Sequence, residues 1–455
     1  MAFHDFEIFT LSDSTPFRTL VVTEPMGYLC FEEESVFSPR AKFAIERARN
    51  GSVHIRSCYN NKYWTRDSSN NVMAIADEPV EDELSGRNTL FRPSFEANNT
   101  VRFSRVPTGT VGMRPPEHML RWCLTVSSQQ VIPALANYFD PASKIKLPTR
   151  VAFKGGVGDG NRYLATESKT QWNSFRENDY RSLGANYIIH HTNNGDIRVK
   201  NMQANKWWTT DRNIIKSSFG GDVSDTNPNI LFEVIKIDGN EIVLRYRGNN
   251  RFCIDQFVMY VADSITDSRA GYMKVVEPLI SRNVTVHNPD FKLETVRIYN
   301  HSQDRILAFT DVVNGGSTDL VIEKTLSQQV TRTKAWRKSQ SLMLGTSMTF
   351  SSGIPKLGIG LEITFEGQFT KEYEWSQSEE TTDLISETVT VTVPPGKTTR
   401  ILLMASSASF DIPFSYTQTD RYVTGEAPVT TVLDDGVFSG SNVYYFYIKT
   451  EETLL

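Results

Sequence analysis

The sequence predicts an all-β protein with three consecutive domains, of which the first two repeat one another. One observation is the repeat itself, because Gly51–Asp67 recurs as Gly195–Asp211 at an offset of 144 residues. The other is a change of composition near Asn288, after which the chain is rich in Thr, Ser and Val, residues that are common in strands. The expected domains are residues 1–143, 144–287 and 288–455.

Length and composition describe a folded protein without a transmembrane helix. The chain has 455 residues, of which 39% are hydrophobic and 22% charged, and these values are ordinary for a folded protein of several domains. Its net charge is −5 and it has no strongly basic block, so nucleic acid is not an expected partner. The longest apolar runs are shorter than the ~18 residues of a spanning helix.

The N-terminus and the cysteines bear on where the protein is kept. The first residues, Met1-Ala-Phe-His-Asp-Phe-Glu, lack a basic region followed by an apolar core, so we expect no secretory signal. This favours storage in the cytoplasm or nucleus, with action at a target membrane. The cysteines have no metal-ligand spacing, and without export we expect free buried thiols rather than disulfides. They are Cys30, Cys58, Cys123 and Cys253.

The repeat extends well beyond the segment that starts at Gly51. At the same offset and without a gap, Arg18 matches Arg162 and Leu20 matches Leu164. Further identities follow along the same diagonal. Chance rarely sustains one offset over so long a stretch, so we interpret the first two domains as two copies of one domain.

A shorter period lies inside each copy. Asn161-Arg-Tyr-Leu164, Asn205-Lys-Trp-Trp208 and Asn250-Arg-Phe-Cys253 are spaced by 44 and then 45 residues. Such a period could indicate propeller blades, but a propeller needs about four of them and each copy has three units. Three β-units that close on themselves form a β-trefoil. Clusters of Gly and Asn between the units fit short strands joined by turns.

The repeated Asn-Lys-aromatic element, preceded by Gly-x-[Val/Ile]-x-[Ile/Val], resembles the amaranthin-type agglutinin domains of plants. The resemblance covers residues of about 5–285 and implies two tandem β-trefoil domains joined by a linker from about Asp140 to Pro148. It implies a glycan ligand with a galactose- or N-acetylgalactosamine-type disaccharide. In this family the sites lie where the first trefoil of one subunit meets the second trefoil of another, so the resemblance also implies a homo-oligomer.

Candidate sugar-binding residues follow from the needs of a lectin site. Such a site requires an aromatic ring against the C–H face of the sugar and polar side chains for its hydroxyl groups. Tyr63 and Trp207 are candidate rings too, but we interpret them as trefoil core, because an aromatic repeated at a fixed position usually packs inside. For the loop residues both interpretations stay open. The predicted carbohydrate-binding residues are Trp64, Arg66, Asp67, Asn70, Asn71, Trp208, Asp211 and Arg212.

The last domain contains a stretch without charged side chains from Ser341 to Pro355. Apolar residues alternate there with Ser, Thr and Gly, and the alternation resumes after Pro355, which predicts a β-hairpin with one apolar face. Each arm keeps the pattern for about nine residues, close to the ~9–11 of a tilted transmembrane strand. The predicted membrane-inserting residues are Leu342, Leu344, Met348, Phe350, Leu357, Ile359, Leu361, Ile363 and Phe365, and Glu362 and Glu366 are predicted to line a cation-favouring pore lumen.

Alternation alone also fits an ordinary β-domain in which one face of the hairpin packs on the core and the other is exposed to solvent. However, Trp336 and Trp375 bracket the hairpin, and Ser/Thr-rich runs lead to Val393-Pro-Pro395. This order resembles the aerolysin-type pore-forming proteins over residues of about 290–455. The resemblance implies an elongated aerolysin-like β-domain that releases the hairpin on a membrane, where several subunits close a barrel. It favours the membrane interpretation of the hairpin.

The sequence carries no enzyme signature beside these patterns. It lacks Gly-x-Ser-x-Gly, a phosphate-binding Gly loop with its Lys, and a Cys/His cluster, so we expect no catalytic residue, no metal and no cofactor. We predict a carbohydrate-binding lectin that binds glycoconjugates, oligomerises and forms membrane pores, in the setting of plant defence. The alternative is a carbohydrate-binding interaction protein whose C-terminal β-domain only mediates oligomerisation.

Overall fold

The structure is a computed structural model that divides into two compact units. Residues 1–282 together with 419–429 form the first unit, and the described residues between 283 and 418 and from 430 onward form the second. The described residues contain strands and short 3-10 turns but no α-helix, which confirms the all-β prediction. They are 8–12, 18–96, 100–107, 109–114, 122–127, 134, 136–139, 144–155, 161–256, 258–263, 271–285, 291–292, 296–338, 349–351, 372–374 and 378–454.

The first sheet consists of β1 (Ile8–Ser12), β2 (Thr19–Val22), β3 (Leu29–Glu32), β4 (Phe43–Arg47), β5 (Val53–Ser57), β6 (Tyr63–Arg66), β7 (Val72–Ala76), β8 (Phe91–Phe95), β9 (Thr100–Arg105), β10 (Thr110–Arg114), β11 (Cys123–Ser127) and β12 (Ala136–Phe139). Antiparallel pairs join β1, β4, β5, β8, β9 and β12 into a closed barrel. The hairpins β2–β3, β6–β7 and β10–β11 extend from it. Six barrel strands and three hairpins make a β-trefoil.

The second sheet repeats this topology with β13 (Arg150–Gly155), β14 (Arg162–Thr166), β15 (Asn173–Glu177), β16 (Tyr187–His191), β17 (Ile197–Asn201), β18 (Lys206–Asp211), β19 (Ile214–Phe219), β20 (Phe232–Asp238), β21 (Glu241–Tyr246), β22 (Arg251–Gln256), β23 (Val258–Ala262) and β24 (Met273–Val276). Its barrel closes through β13, β16, β17, β20, β21 and β24. The prediction of two tandem trefoils is confirmed.

Each barrel encloses its own hydrophobic core, and a tryptophan packs among the phenylalanines of each. The Trp64 ring lies edge-on to Phe43, with 5.1 Å between ring centroids. In the second barrel, Trp208 lies edge-on to Tyr187 at 5.2 Å and to Phe232 at 5.7 Å. Because these positions are 144 residues apart, the repeat in the sequence is largely a repeat of core residues.

The two trefoils touch where the loop after β3 meets the turn between β16 and β17. The backbone N–H of Val36 donates to the carbonyl of Asn193 at 2.8 Å, and Phe37 stands edge-on to His191. The linker between the trefoils is also packed, since Ile145 and Leu147 belong to the second core. Contacts of this kind hold the trefoils in one unit.

A disulfide joins Cys30 in β3 to Cys123 in β11. The expectation that all four cysteines are free thiols is therefore wrong for this pair. The two residues face each other on paired antiparallel strands although 93 residues separate them in the chain. Sequence spacing could not reveal this proximity, because it arises only when the first trefoil closes.

The second unit contains most of a sheet of long strands, whose order is β25-β31-β32-β27-β30, with β26 also paired to β31. A separate pair is formed by β28 and β29. These strands are β25 (Leu279–Thr285), β26 (Arg297–Asn314), β27 (Leu320–Lys338), β28 (Thr349–Ser351), β29 (Glu372–Glu374), β30 (Ser378–Val393), β31 (Lys397–Tyr422) and β32 (Val429–Leu454).

The second unit has an aromatic core around Trp336, which is 2% exposed. Its ring centroid lies 4.7 Å from that of Phe438 and 5.2 Å from that of Phe414. Trp336 is one of the two tryptophans that bracket the predicted hairpin, and it anchors the end of β27. The hairpin segment therefore follows directly after a firmly packed strand end.

The turn between β31 and β32 belongs to the first unit. Arg282 is buried there between two carboxylates and donates at 2.8 Å to Asp420 and at 2.8 Å to Glu277. The backbone N–H of Val423 donates to the carbonyl of Pro278 at 2.9 Å. A buried charge needs such partners to offset its loss of water. This pairing fastens the turn to the end of the second trefoil.

Candidate functional site

The two tryptophans predicted as sugar platforms are core residues. Trp64 and Trp208 are both 0% exposed, so neither ring can reach a ligand, and this part of the prediction is wrong. Successive side chains of a strand point to opposite faces. The neighbours Tyr63 and Trp207, which we had interpreted as core, therefore occupy the outer face and are half-buried. The repeat thus identified the correct strands, but our prediction placed Trp64 and Trp208 on the outer face, whereas they lie inside the barrels.

The loop after β6 is held together by Asp67. Its Oδ1 accepts the backbone N–H groups of Ser69 at 2.9 Å and Asn71 at 2.7 Å, and its Oδ2 accepts the Asn71 amide at 2.8 Å. Asn70 sits in the left-handed region with φ 68°, which asparagine tolerates better than most residues. Both carboxylate oxygens of Asp67 thus already serve the loop, and Asn71 is buried beneath it.

Arg66 and Asn70 form the outer edge of this loop. The Arg66 guanidinium donates to the Asn70 side-chain oxygen at 3.1 Å, and both residues are at least partly exposed. Arg114 reaches the same loop and donates to the carbonyl of Ser69 at 3.0 Å. This edge offers hydrogen-bond donors to a sugar hydroxyl or carboxylate, and the sugar-binding role of Arg66 and Asn70 stays a prediction.

The second trefoil replaces this loop with a tight turn. Arg212 and Asn213, with φ 48° and 69°, make a two-residue hairpin turn between β18 and β19. Asp211 accepts a hydrogen bond from Lys216 at 2.5 Å, which lowers the pKa of its carboxyl group. The predicted residues of the two trefoils therefore lie on two different loops rather than at two equivalent sites.

A polar cavity that the sequence did not reveal lies beside the first barrel. It has a volume of about 410 Å³ and stands between the β4–β5 turn and the long loop before β8. Arg49 and Glu81 form an ion pair at 3.0 Å on its wall. Carboxylates accept hydrogen bonds from hydroxyl groups, and guanidinium and amide groups donate them. Its lining residues are Arg49, Asn50, Glu81, Asp82, Glu83 and Leu90.

The equivalent turn of the second trefoil is in contact with the first trefoil. At the offset of 144 residues, Arg49 in the β4–β5 turn corresponds to Asn193 in the turn between β16 and β17. The carbonyl of Asn193 there receives the N–H of Val36 from the first trefoil, and the Asn193 N–H donates to Asp225 at 3.1 Å. The acidic run from Glu81 to Glu83 was the cavity's only signal in the sequence.

Most of the predicted membrane hairpin lies outside the described residues. This applies to Leu342, Leu344, Met348, Leu357, Ile359, Leu361, Ile363 and Phe365 and to the predicted lumen residues Glu362 and Glu366, whose roles stay predictions. The backbone of Phe350 is described, and in β28 it stands opposite Tyr373 of β29. Among the described residues, no helix has the length and hydrophobicity needed to cross a membrane.

The strands on either side of the predicted hairpin form one continuous ladder. Strands β27 and β30 pair without a shift from Leu320↔Val393 to Ala335↔Ser378. Their outer face is largely Ser and Thr, with side-chain pairs such as Thr325 and Thr388, whose hydroxyl oxygens lie 2.8 Å apart. Exposed hydroxyl pairs of this kind suit a surface that meets water and can also pack against protein.

Comparison with known families identifies one domain. Residues 18–109 match the family model of the agglutinin domain. The matched range runs through β2 to β9 and includes the Asp67 loop and all residues that line the cavity. No curated protein matches the sequence.

Solved structures give only distant likenesses. A mosquitocidal holotoxin has a TM-score of 0.29 at 8% identity, with 60% of this chain and 34% of the toxin covered. A lamprey immune protein has a TM-score of 0.27 at 14% identity, with coverages of 78% and 87%. Parasporin-2, a Bacillus thuringiensis toxin that recognizes cancer cells, has a TM-score of 0.22 at 18% identity, with coverages of 46% and 88%. The chain spans about a third of the holotoxin's length, and TM-scores below 0.3 establish no common fold.

Proposed function

We propose that this protein binds glycans through its trefoils and uses its second unit to permeabilise membranes. The observation that carries the first half is the agglutinin-domain match, which falls on a closed trefoil. The name of that family denotes proteins that crosslink cells through their surface sugars. The ligand that the sequence resemblance implies is a galactose- or N-acetylgalactosamine-type disaccharide.

Within the first trefoil, the cavity and the edge formed by Arg66 and Asn70 are the surfaces that suit a sugar. The cavity presents the carboxylates of Glu81, Asp82 and Glu83 beside the guanidinium of Arg49. A sugar hydroxyl both donates and accepts, so a wall of mixed acceptors and donors matches it. We propose the cavity as the principal contact, because the carboxylate of Asp67 is already used inside its loop.

The membrane half of the proposal rests on the segment between β27 and β30. Its apolar residues alternate with Ser, Thr and Gly in the first arm and with Gly, Thr, Lys and Glu in the second, as transmembrane strands require. A lone hairpin would leave backbone groups unpaired in lipid, so hairpins from several subunits would have to close a ring. Glycan contacts would concentrate subunits on a surface, and several weak contacts gain strength by acting together. Plant defence is the proposed setting.

Two measurements on the full chain test this function. A glycan array identifies bound sugars, and dye release from liposomes with and without a glycolipid that carries such a sugar measures permeabilisation. We expect binding to at least one galactose- or N-acetylgalactosamine-containing glycan, and dye release that is faster when the glycolipid is present.

The outcomes separate the two functions that the sequence allows. Glycan binding together with dye release supports the proposal. Glycan binding without dye release at any protein concentration would leave an interaction protein whose second unit mediates assembly only. The absence of binding to every glycan on the array would overturn the lectin half, whatever the liposomes do.

A further inference from the structure

The outer face of the second barrel carries an aromatic ring surrounded by basic side chains. Strand pairing places Lys200 of β17 opposite Trp207 of β18, and Arg198 of β17 opposite His190 of β16. The intervening residues of β17, such as Val199, point into the core and are fully buried. His190, Arg198, Lys200 and Trp207 therefore share one outward surface, which we call the Trp207 face.

The basic groups of the Trp207 face lie close to the indole ring. The His190 ring centroid is 4.9 Å from that of Trp207, and the Lys200 ammonium lies 5.5 Å from it. Arg198 is 6.0 Å away, but its guanidinium is paired with Asp225 at 3.0 Å. Burial and the two neighbouring cations lower the pKa of His190, so its imidazole is neutral at pH 7.

Lys200 supplies the charge that this face can offer to a ligand. Among the residues that the structure describes, no carboxylate lies within ion-pair distance of its ammonium group. The ammonium sits beside a half-buried indole, where less water competes for it than at an open surface. An anionic group that approached Trp207 would thus meet a cation already positioned next to the ring.

The first trefoil has different chemistry at the same four positions. The offset of 144 residues relates His190 to Glu46 and Lys200 to Arg56. Glu46 accepts the Arg56 Nε–H at 2.8 Å and the hydroxyl of Tyr63, the equivalent of Trp207, at 2.8 Å. The acid and the base are therefore matched within the first trefoil, and no charge is left for a ligand.

We infer that the Trp207 face binds a sugar that carries an anionic group, a carboxylate or a sulfate, beside a neutral ring. The indole packs against the C–H face of the sugar, and the Lys200 ammonium pairs with the anion. This inference rests on the proposed glycan-binding function and adds a ligand class to it. In the first trefoil the charges around Tyr63 neutralise one another. In the second trefoil the larger ring of Trp207 is surrounded by basic side chains.

The test measures binding of three probes to the full chain by isothermal titration calorimetry. They are lactose, 3′-sialyllactose and lactose 3′-sulfate, and the last two add a carboxylate or a sulfate to the same galactose. We expect at least one charged probe to bind about tenfold tighter than lactose, or more. We also expect this difference to shrink as salt is raised, because the paired charges are partly exposed.

Variants locate the effect on the Trp207 face. We expect Lys200→Gln to weaken the favoured charged probe about tenfold while lactose binding stays the same, which is the effect of one lost ion pair. Trp207→Ala should weaken binding of the charged probes as well, because it removes the ring that packs against their sugar. The matched control is Lys236→Gln, the same charge change at an exposed position of β20, and it should leave all affinities as they are. Unchanged thermal unfolding of Lys200→Gln excludes a folding defect.

Several results would overturn the inference. These are equal affinity for lactose and both charged probes, no binding of either charged probe, or a charged-probe affinity that Lys200→Gln does not reduce. If neutral glycans bind on the array while one of these results is obtained, the inference fails and the proposed function stands. If no glycan binds in either experiment, both fail.

Discussion

At the scale of single residues, Trp207 and Trp208 have opposite roles although they are neighbours in β18. Trp208 is fully buried among Phe153, Tyr187 and Phe232, whereas Trp207 lies half-buried on the outer face. The same division separates Trp64 from Tyr63 in the first trefoil. A strand pattern identifies which residues share a face, but only the packed barrel decides which face is inside.

Because Trp208 is buried and Trp207 lies near the surface, we predict very different losses of stability when each is replaced by Ala. Trp208→Ala should lower the free energy of unfolding by roughly 3–5 kcal/mol, because it removes a large buried ring and leaves a cavity. Trp207→Ala should lower it by less than about 1 kcal/mol, as is usual near a surface. Denaturant-induced unfolding of the two variants measures both values. Equal losses for the two tryptophans would contradict the assignment of faces.

At the scale of elements, the disulfide ties two hairpins of the first trefoil. Cys30 belongs to the hairpin β2–β3 and Cys123 to β10–β11. Replacing both by Ala should cost about 2–4 kcal/mol of unfolding free energy, since the bond restricts a long loop of the unfolded chain. Denaturant-induced unfolding measures this loss.

A control separates the bond from the general effect of cysteine removal. Cys58 forms no disulfide, so the Cys58→Ala variant keeps the bond between Cys30 and Cys123. Reductant should therefore destabilise this variant as much as it destabilises the native chain. In the variant that lacks Cys30 and Cys123, reductant should have no effect. A full response to reductant in that variant would contradict the role of the bond.

Elements also differ in how far the sequence could predict them. The strands of both trefoils were predictable, because their buried aromatics recur at one offset. The cavity was not, because Arg49 and Glu81 are brought together by a turn and a loop that lie far apart in the chain. The loops themselves are not repeated, since the Asp67 loop corresponds to a two-residue turn at Arg212.

At the scale of the whole molecule, the sequence predicted the architecture better than it predicted the sites. The repeat and the change of composition identify two trefoils and a long-stranded unit. The sites depend on differences between the copies. Glu46 in place of His190 changes the charge of an entire face, and the turn that borders the cavity on the first trefoil has an equivalent on the second that contacts Val36. A repeat reports what two copies share, and the proposed functions lie where they diverge.

The register around the predicted hairpin bears on the whole mechanism. Continued without a shift, the β27–β30 ladder would place Phe350 opposite Ile363 and Tyr373 opposite Gln340. In the structure, Phe350 instead stands opposite Tyr373. A membrane hairpin that extends this ladder therefore requires the β28–β29 pairing to be released. A covalent bond between these two positions should prevent that release.

Dye release by a chain with Phe350→Cys and Tyr373→Cys tests this claim most directly. The control carries Ser327→Cys and Ser386→Cys, a pair within the β27–β30 ladder that keeps its register. The native chain is also measured with and without reductant. We predict that oxidation of the first pair abolishes dye release and that reduction restores it, while the control pair releases dye in both states. Equal dye release by the oxidised and reduced Phe350→Cys, Tyr373→Cys chain would contradict the account.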